Sequence, residues 1–481
     1  MVNAWWRGGG LAGRIEYVFE GCDDAALLVA MGDAQRAGWA AFARQLVAVG
    51  HFAQRRLAAA TGEHDVWCVD DFEAIAAEIG AELGISRARA SSQMDYAITL
   101  LERFPHLAAA FVAGEVDFRV IAAVIYRTGL ITDTDAVATI DAAVAAKAPS
   151  WNTLSRERVT ELVDWMVLAV DPDAVRVATQ RDVDRHIEVR PGNNGTAEIW
   201  GEVRGPDGAV FDAALDALAA TVCPDDPRTT TQRRTDALSP LAVRATSMPC
   251  RCGAPDCPAA MNATPVTPVV INLIAQAATV EGSSDQPGYL PGYGAVPAAT
   301  VREMATTASL RPIPSATGLA AEPQYRPSAG AARFIGCRDL TCRWPGCDQP
   351  AMACDIDHTV PYPHGPTHPS NTKKYCRIHH LFKTFHAGPA GWTEIQLPDG
   401  TLVWTSPRGR TYTTTPTGAR FFPQLGAPTQ TLDLPNSPPP GPYRDLAMPK
   451  RKRTRAQDRA YRIEHERAQN RARYETDPPP F

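Results

Sequence analysis

The 481-residue chain has no run of about 18 uninterrupted apolar residues, so no membrane-spanning helix is expected. Its Ala-rich stretches are broken by charges at helical intervals. It also lacks an apolar core behind its first basic residue; MVNAWWRGGGLAGRIEYVFEG does not read as a secretory signal. A soluble cytoplasmic protein is the expectation. Nor is there a surplus of positive charge: 48 Lys and Arg face 53 Asp and Glu, leaving −5. That total says nothing for nucleic acid, so the distribution has to be read. Residues 450–475 carry ten Lys and Arg against four Asp and Glu, a basic tail that either meets a DNA backbone as a short helix or stays disordered. No internal repeat stands out. Apolar residues, at 44%, are ample for globular cores, and the length suggests about three domains.

The pattern divides the chain. Residues 1–22 form a leader. Residues 23–310 read as a mainly α N-terminal domain with a small β-hairpin element. Apolar residues recur at three and four through AALLVAMGDAQRAGWAAFARQLVAVG. Asp70, Ser86 and Ser155 stand where helices should start, and Pro105 should interrupt one. RHIEVRPGNNGTAEIWGEV alternates like two strands around a Gly-Asn-rich loop, and TPVVINLIAQAATV reads as a buried strand. A linker follows at 311–332, then a second domain at 333–415. There, Asp399-Gly400 between alternating runs marks a hairpin. A Pro-rich, extended linker covers 416–447, and the basic tail runs over 448–481.

Cysteine is the informative residue. Eight of the 11 lie between Cys250 and Cys376, and short clusters in a reducing compartment point to metal ligation over disulfides. Cys22, Cys68 and Cys223 stand alone and read as buried thiols. Cys250-x-Cys252-x4-Cys257 could be a zinc knuckle, but no fourth ligand is evident nearby. Cys342-x4-Cys347 and Cys376-x2-His379 supply a Cys3His set for structural zinc, with Pro345-Gly346 as the turn. Cys337 and Cys354 flank it, so either could replace Cys342. The run TKKYCRIHHLFKTF reads as a helix that presents Cys376 and His379 on one face.

A second set interleaves with the first. Asp357-His358 ends the expected strand MACDIDH. Asn371 and His380 follow. A hard divalent ion such as Mg²⁺ held by Asp357 and His380 would keep open positions for water and phosphate. A neutral His358 could activate that water, and Asn371 could fix the loop around it. Lys373, Lys374, Arg377 and Lys383 could neutralise DNA phosphates.

These residues resemble the HNH endonuclease motif, a zinc-stapled ββα-metal domain. The resemblance implies His358 as general base and Asn371 as its support. It implies Asp357 and His380 as ligands of the catalytic ion. Cys342, Cys347, Cys376 and His379 would be the zinc ligands. The helical region, CRCGAPDCP, LPGYGAVPAATVREMA and CRDLTCRWPGCD together resemble the actinobacterial 13E12 repeat family, which joins a helical domain of unknown function to a C-terminal HNH domain. The activity implied is metal-dependent hydrolysis of DNA; the alternative is a DNA-binding or mobile-element accessory protein with an inactive HNH fold. The chain departs from many HNH sequences in its loop, PHGPTHPSN, and in Thr372 after the Asn.

Overall fold

The computed structural model describes residues 19, 21–176, 186–192, 196–203, 205–261, 272–306, 308–386, 391–435 and 447–476. Seven helices come first: α1 (Asp24–Ala58), α2 (Asp71–Leu83), α3 (Arg87–Arg103), α4 (Pro105–Val112), α5 (Phe118–Arg127), α6 (Thr134–Lys147) and α7 (Arg156–Val170). Their starts follow the chemistry of free N–H groups. Asp70, Ser86 and Ser155 each accept from a backbone N–H in the first turn of α2, α3 and α7, as the sequence predicts. Pro105 opens α4, which has no cap of its own. Asp141 on α6 caps it instead: its buried carboxylate accepts from the N–H groups of His106 at 2.9 Å and Leu107 at 3.0 Å. Leu46, Met94, Leu100, Phe104, Phe111, Val120 and Val163 are fully buried between these helices.

The middle of the chain is less regular. β1 (His186–Pro191) pairs antiparallel with β2 (Ala197–Glu202), as expected; residues 193–195 of the loop between them lie outside the described residues. Helices α8 (Gly205–Ala219), α9 (Thr230–Asp236) and α10 (Leu238–Ala242) surround a small core of Leu215, Leu218, Val222, Ala237 and Met248. A short turn of helix, α11 (Pro258–Met261), follows. The expected strand in TPVVINLIAQAATV is corrected where it can be seen. Its first part, 267–271, lies outside the described residues. Ile274 makes one bridge to Tyr289, and Ala277–Val280 is a helical turn, α12. A short apolar run cannot distinguish strand from helix by periodicity, and the Ala-Ala pair favours the turn. β3 (Gly288–Leu290), β4 (Gly294–Val296) and α13 (Ala298–Ala305) complete this part.

The C-terminal part runs α14 (Ala329–Asp339), β5 (Cys354–His358), β6 (Thr372–Cys376), α15 (Arg377–Phe385), β7 (Thr393–Gln396), β8 (Leu402–Thr405), β9 (Thr411–Thr414) and α16 (Arg455–Thr476). β5 and β6 pair antiparallel, with Cys354 opposite Cys376 and His358 opposite Thr372. The helix expected over TKKYCRIHHLFKTF therefore begins only at Arg377. Thr372–Cys376 is a strand, because it pairs with β5 and buries Lys373 and Tyr375 on alternate positions. Asn371 consequently precedes a strand, not a helix. The hairpin at Asp399-Gly400 joins β7 to β8 as expected. The expected extended linker from Pro416 is also corrected. Residues 416–435 place Phe422 and Leu425 in a core with Phe334, Ile335 and Leu340, whereas 436–446 lie outside the described residues.

The regions expected as separate domains share a core. Trp67, Val69, Ala77 and Ala81 pack with Trp344, Phe382, Trp392 and Trp404. Gly346 lies so close to the turn after α2 that a Cβ there would sit 2.4 Å from the Ile85 carbonyl oxygen. The basic tail returns to the helical part. Arg451 and Arg455 both pair with Asp70, the latter at 2.6 Å, and Arg467 pairs with Asp171 at 2.7 Å. Its arginines thus neutralise carboxylates of the chain itself. Asp70→Ala should remove a cap worth about 1 kcal/mol and strip two arginines of their partner. The expected result is a lower urea midpoint together with faster amide exchange in α16. Unchanged exchange in α16 would contradict this docking.

Candidate metal centre and the adjoining site

Cys342, Cys347, Cys376 and His379 offer donor atoms that all lie within 4.8 Å of one another. His379 Nδ1 is 3.4 Å from Cys342 Sγ and 3.2 Å from Cys376 Sγ. Cys376 is the last residue of β6 and the N-cap of α15, and its N–H donates to Cys342 Sγ at 3.3 Å. Trp344 lies parallel to the His379 ring, centroids 4.9 Å apart. Burial pushes the Cys342 thiol up, while the Cys342 and Cys347 thiols that donate to Cys376 hold it far down. Such a set could hold a metal ion such as zinc, with His379 bound through Nδ1. Cys354 turns its thiol to the Pro350 carbonyl at 3.3 Å, and the four-donor group contains Cys342 and neither Cys354 nor Cys337.

The next residue, His380, turns the other way. Its Nε2 is 3.4 Å from Asp357 Oδ1, and its Nδ1 is 2.9 Å from Asp355 Oδ2. The other oxygen of Asp357 meets Lys373 at 2.7 Å and Lys383 at 2.6 Å. Glu394 takes the same two ammonium groups at 2.5 and 3.2 Å and accepts from the Tyr375 hydroxyl. Two carboxylates and two ammonium groups thus form a buried, charge-balanced square. Burial alone would raise the Asp357 carboxyl, but Lys373 and Lys383 carry it well below the usual carboxylate range.

That square corrects part of the expected DNA-contact set. Lys373 is fully buried and cannot reach a backbone phosphate. Lys383 is spent on Asp357, Glu394 and the His358 carbonyl, and Lys374 donates to the Cys354 carbonyl at 3.0 Å. Arg377 alone of the four is well exposed, at 66%, loosely paired with Asp355 at 3.8 Å. Glu394 and Asp355 escaped the sequence reading. Glu394 lies beyond the motif, in a strand, TEIQ, whose alternation of polar and apolar residues gives its carboxylate no distinguishing signal.

His358 sits back to back with Asp357, as strand neighbours do. Its Nε2 is 2.8 Å from Thr367 Oγ1. That hydroxyl gives its proton to the Gln324 carbonyl at 2.6 Å, so it accepts from His358. The proton is therefore on Nε2 and the lone pair on Nδ1. Tyr325 stacks on the ring at 5.3 Å, and burial pushes the imidazole down to about 4, so it is neutral. Among the described residues no hydrogen bond joins this ring to Asp357 or His380; the strand brings two of the three expected groups together and sets the third on its other face. Asn371 is fully buried. It accepts from the Val360 N–H at 2.8 Å and donates to the carbonyls of Val360 at 3.0 Å and Pro366 at 2.9 Å, pinning the loop after His358. Gly365 is needed there, since a Cβ would stand 2.6 Å from the Asn371 amide nitrogen. Thr372, the residue after Asn371, donates to the His368 carbonyl at 2.8 Å. Residues 319–325, expected as linker, form a strap here: Glu322 N–H donates to the Thr367 carbonyl at 2.9 Å.

Fold and site together define a mainly helical protein with small antiparallel sheets and Cys/His groups, one near the C-terminal end, that could hold metal. Among the described residues no helix is long and apolar enough to cross a membrane. The chain belongs to the DUF222 family, a domain of unknown function whose model matches residues 33–339. It is 42% identical over 473 residues to the uncharacterized protein Rv3776 of Mycobacterium tuberculosis, covering 93% of this chain and 90% of that one. It is 40% identical over 492 residues to the uncharacterized protein Rv2100 of the same organism, covering 93% and 88%. No solved structure matches it. The family match stops at Asp339, three residues before Cys342, so it describes the scaffold and not the site.

Cys347→Ser and Cys376→Ser should each lower the bound metal, and the near-ultraviolet signal of the Trp344, Trp392 and Trp404 core should collapse with it. Cys337→Ser should change neither. A Cys376→Ser protein with undiminished metal and an intact tryptophan signal would exclude these ligands.

Proposed function

We propose that this chain is a metal-dependent endonuclease of the HNH type that hydrolyses DNA phosphodiester bonds. One observation carries the reading: Asp357 Oδ1 and His380 Nε2 lie 3.4 Å apart, on a strand–strand–helix unit whose helix starts in a Cys3His cluster. The donor set fits a second ion. Lys373 and Lys383 saturate only Oδ2 of Asp357, which leaves Oδ1 and the imidazole to ligate. An ion such as Mg²⁺ held there would stabilise charge on the phosphate and the leaving oxygen. His358, neutral and with Nδ1 unprotonated, accepts a proton from water; Thr367 fixes that tautomer through Nε2. Asn371 holds the loop that carries Thr367. Arg377 neutralises backbone phosphate at the rim.

A second reading has one observation in its favour. Tyr325 and Thr367 cover the His358 ring, which is 5% exposed. A protein of this shape could bind DNA without cutting it.

Supercoiled plasmid incubated with the chain and Mg²⁺ or Mn²⁺ separates the two. The nuclease reading predicts nicking that EDTA abolishes. His358→Ala should slow it by about 10²–10⁴-fold while leaving folding and metal content intact. His380→Ala should raise the Mg²⁺ needed. Undiminished nicking by His358→Ala would remove that residue as base. Salt-sensitive retardation of DNA with no metal-dependent nicking would establish the second reading.

A further inference from the structure

A second thiol cluster lies far from the first in sequence and independent of the nuclease reading. Cys223, Cys250, Cys252 and Cys257 place four sulfur atoms within 4.8 Å of one another. A tetrahedral ion with metal–sulfur bonds of about 2.3 Å spaces its sulfurs about 3.8 Å apart, so the cluster has the right size. Cys223 and Cys250 sulfurs are 3.4 Å apart. A disulfide would hold them at about 2.0 Å, so these are free thiols.

The four sulfurs come from two separate segments, Cys223 beyond the end of α8 and Cys250, Cys252 and Cys257 in one later loop, so an ion among them would staple the two together. The local fold needs such a staple. No helix or strand spans 243–257, and the core beneath it is five residues deep in Leu215, Leu218, Val222, Ala237 and Met248. Apart from sulfur, polar bonds tie this loop to the segment after α8, among them Met248 N–H to Thr221 Oγ1 at 3.0 Å and Arg251 N–H to Asp226 at 2.8 Å. Cores of this size are stabilised by metal elsewhere in small folds.

We propose that Cys223, Cys250, Cys252 and Cys257 form a four-thiolate structural zinc site that fastens the 248–257 loop to the end of α8. Cys223, isolated in sequence and expected as an ordinary buried thiol, is its fourth ligand. Binding needs no redox step: the thiols release their protons and the ion takes their place.

Native mass spectrometry and elemental analysis of the full chain, purified under reducing conditions, provide the test. Two zinc ions per chain are expected. Cys252→Ser and Cys257→Ser should each retain one ion, as should Cys376→Ser, while Cys252→Ser combined with Cys376→Ser should retain none. Cys68→Ser should keep both. A wild-type chain with a single ion that Cys376→Ser abolishes would overturn the proposal, and so would a Cys223–Cys250 disulfide in the reduced preparation. A wild-type count of one ion overturns the proposal even where a variant fails to fold, and a count of two supports it where Cys252→Ser or Cys257→Ser removes one of them.

Discussion

Cys376 is the residue through which the site is built. It ends β6, caps α15 and brings its sulfur beside Cys342 and His379. Everything after it follows from helical geometry. Adjacent helical residues point about 100° apart, so once His379 faces the sulfurs, His380 must face elsewhere. It faces Asp357 on β5, because β5 and β6 are in register with Cys354 opposite Cys376. A metal held by the four donors would fix strand, helix and the second histidine in one step. Around it, Trp344, Phe382, Trp392 and Trp404 fill a core that reaches into α2 through Ala77 and Ala81. Such a staple would also anchor the C-terminal part to the helical scaffold.

A second layer of order comes from buried charge. Asp357, Glu394, Lys373 and Lys383 balance one another. Arg338 and Arg343 both pair with Asp339, with all three nearly or fully buried. Arg338 also donates to the carbonyls of Pro369 at 2.7 Å and Thr372 at 2.8 Å, and Asp339 accepts from the Lys374 N–H at 2.9 Å. Buried ions without such partners would be costly, and removing one partner leaves the other exposed to that cost. Both networks grip β6, one through Thr372 and Lys374 and the other through Lys373 and Tyr375.

Much of this was legible in the sequence for specific reasons. Helix starts at Asp70, Ser86 and Ser155 were visible because capping is local. The Cys3His group was visible because its ligands come in two close pairs. Asn371 pins the backbone of the loop after His358. Burial was not legible. Lys373 and Lys383 look like phosphate contacts until strand pairing and Glu394, some twenty residues on, enclose them. The helix over TKKYC was misread because its strand character comes from pairing with β5, a contact across the PHGPTHPSN loop. Cys223 was overlooked because 27 residues separate it from Cys250. The basic tail was read by its charge alone, and its acidic partners lie some 300 to 380 residues away.

The DUF222 relationship accounts for the helical scaffold up to Asp339 and leaves the metal centre to be tested directly. The decisive measurement is hydrogen exchange on the intact, reduced chain before and after a strong chelator removes its metal. If the Cys3His ion organises the site, the amides of 372–385 and 402–414 lose protection while α5 and α6 keep theirs. Full protection of 372–385 in the metal-free chain would contradict the account, because the strand, the helix and the two histidines would then be held by packing alone.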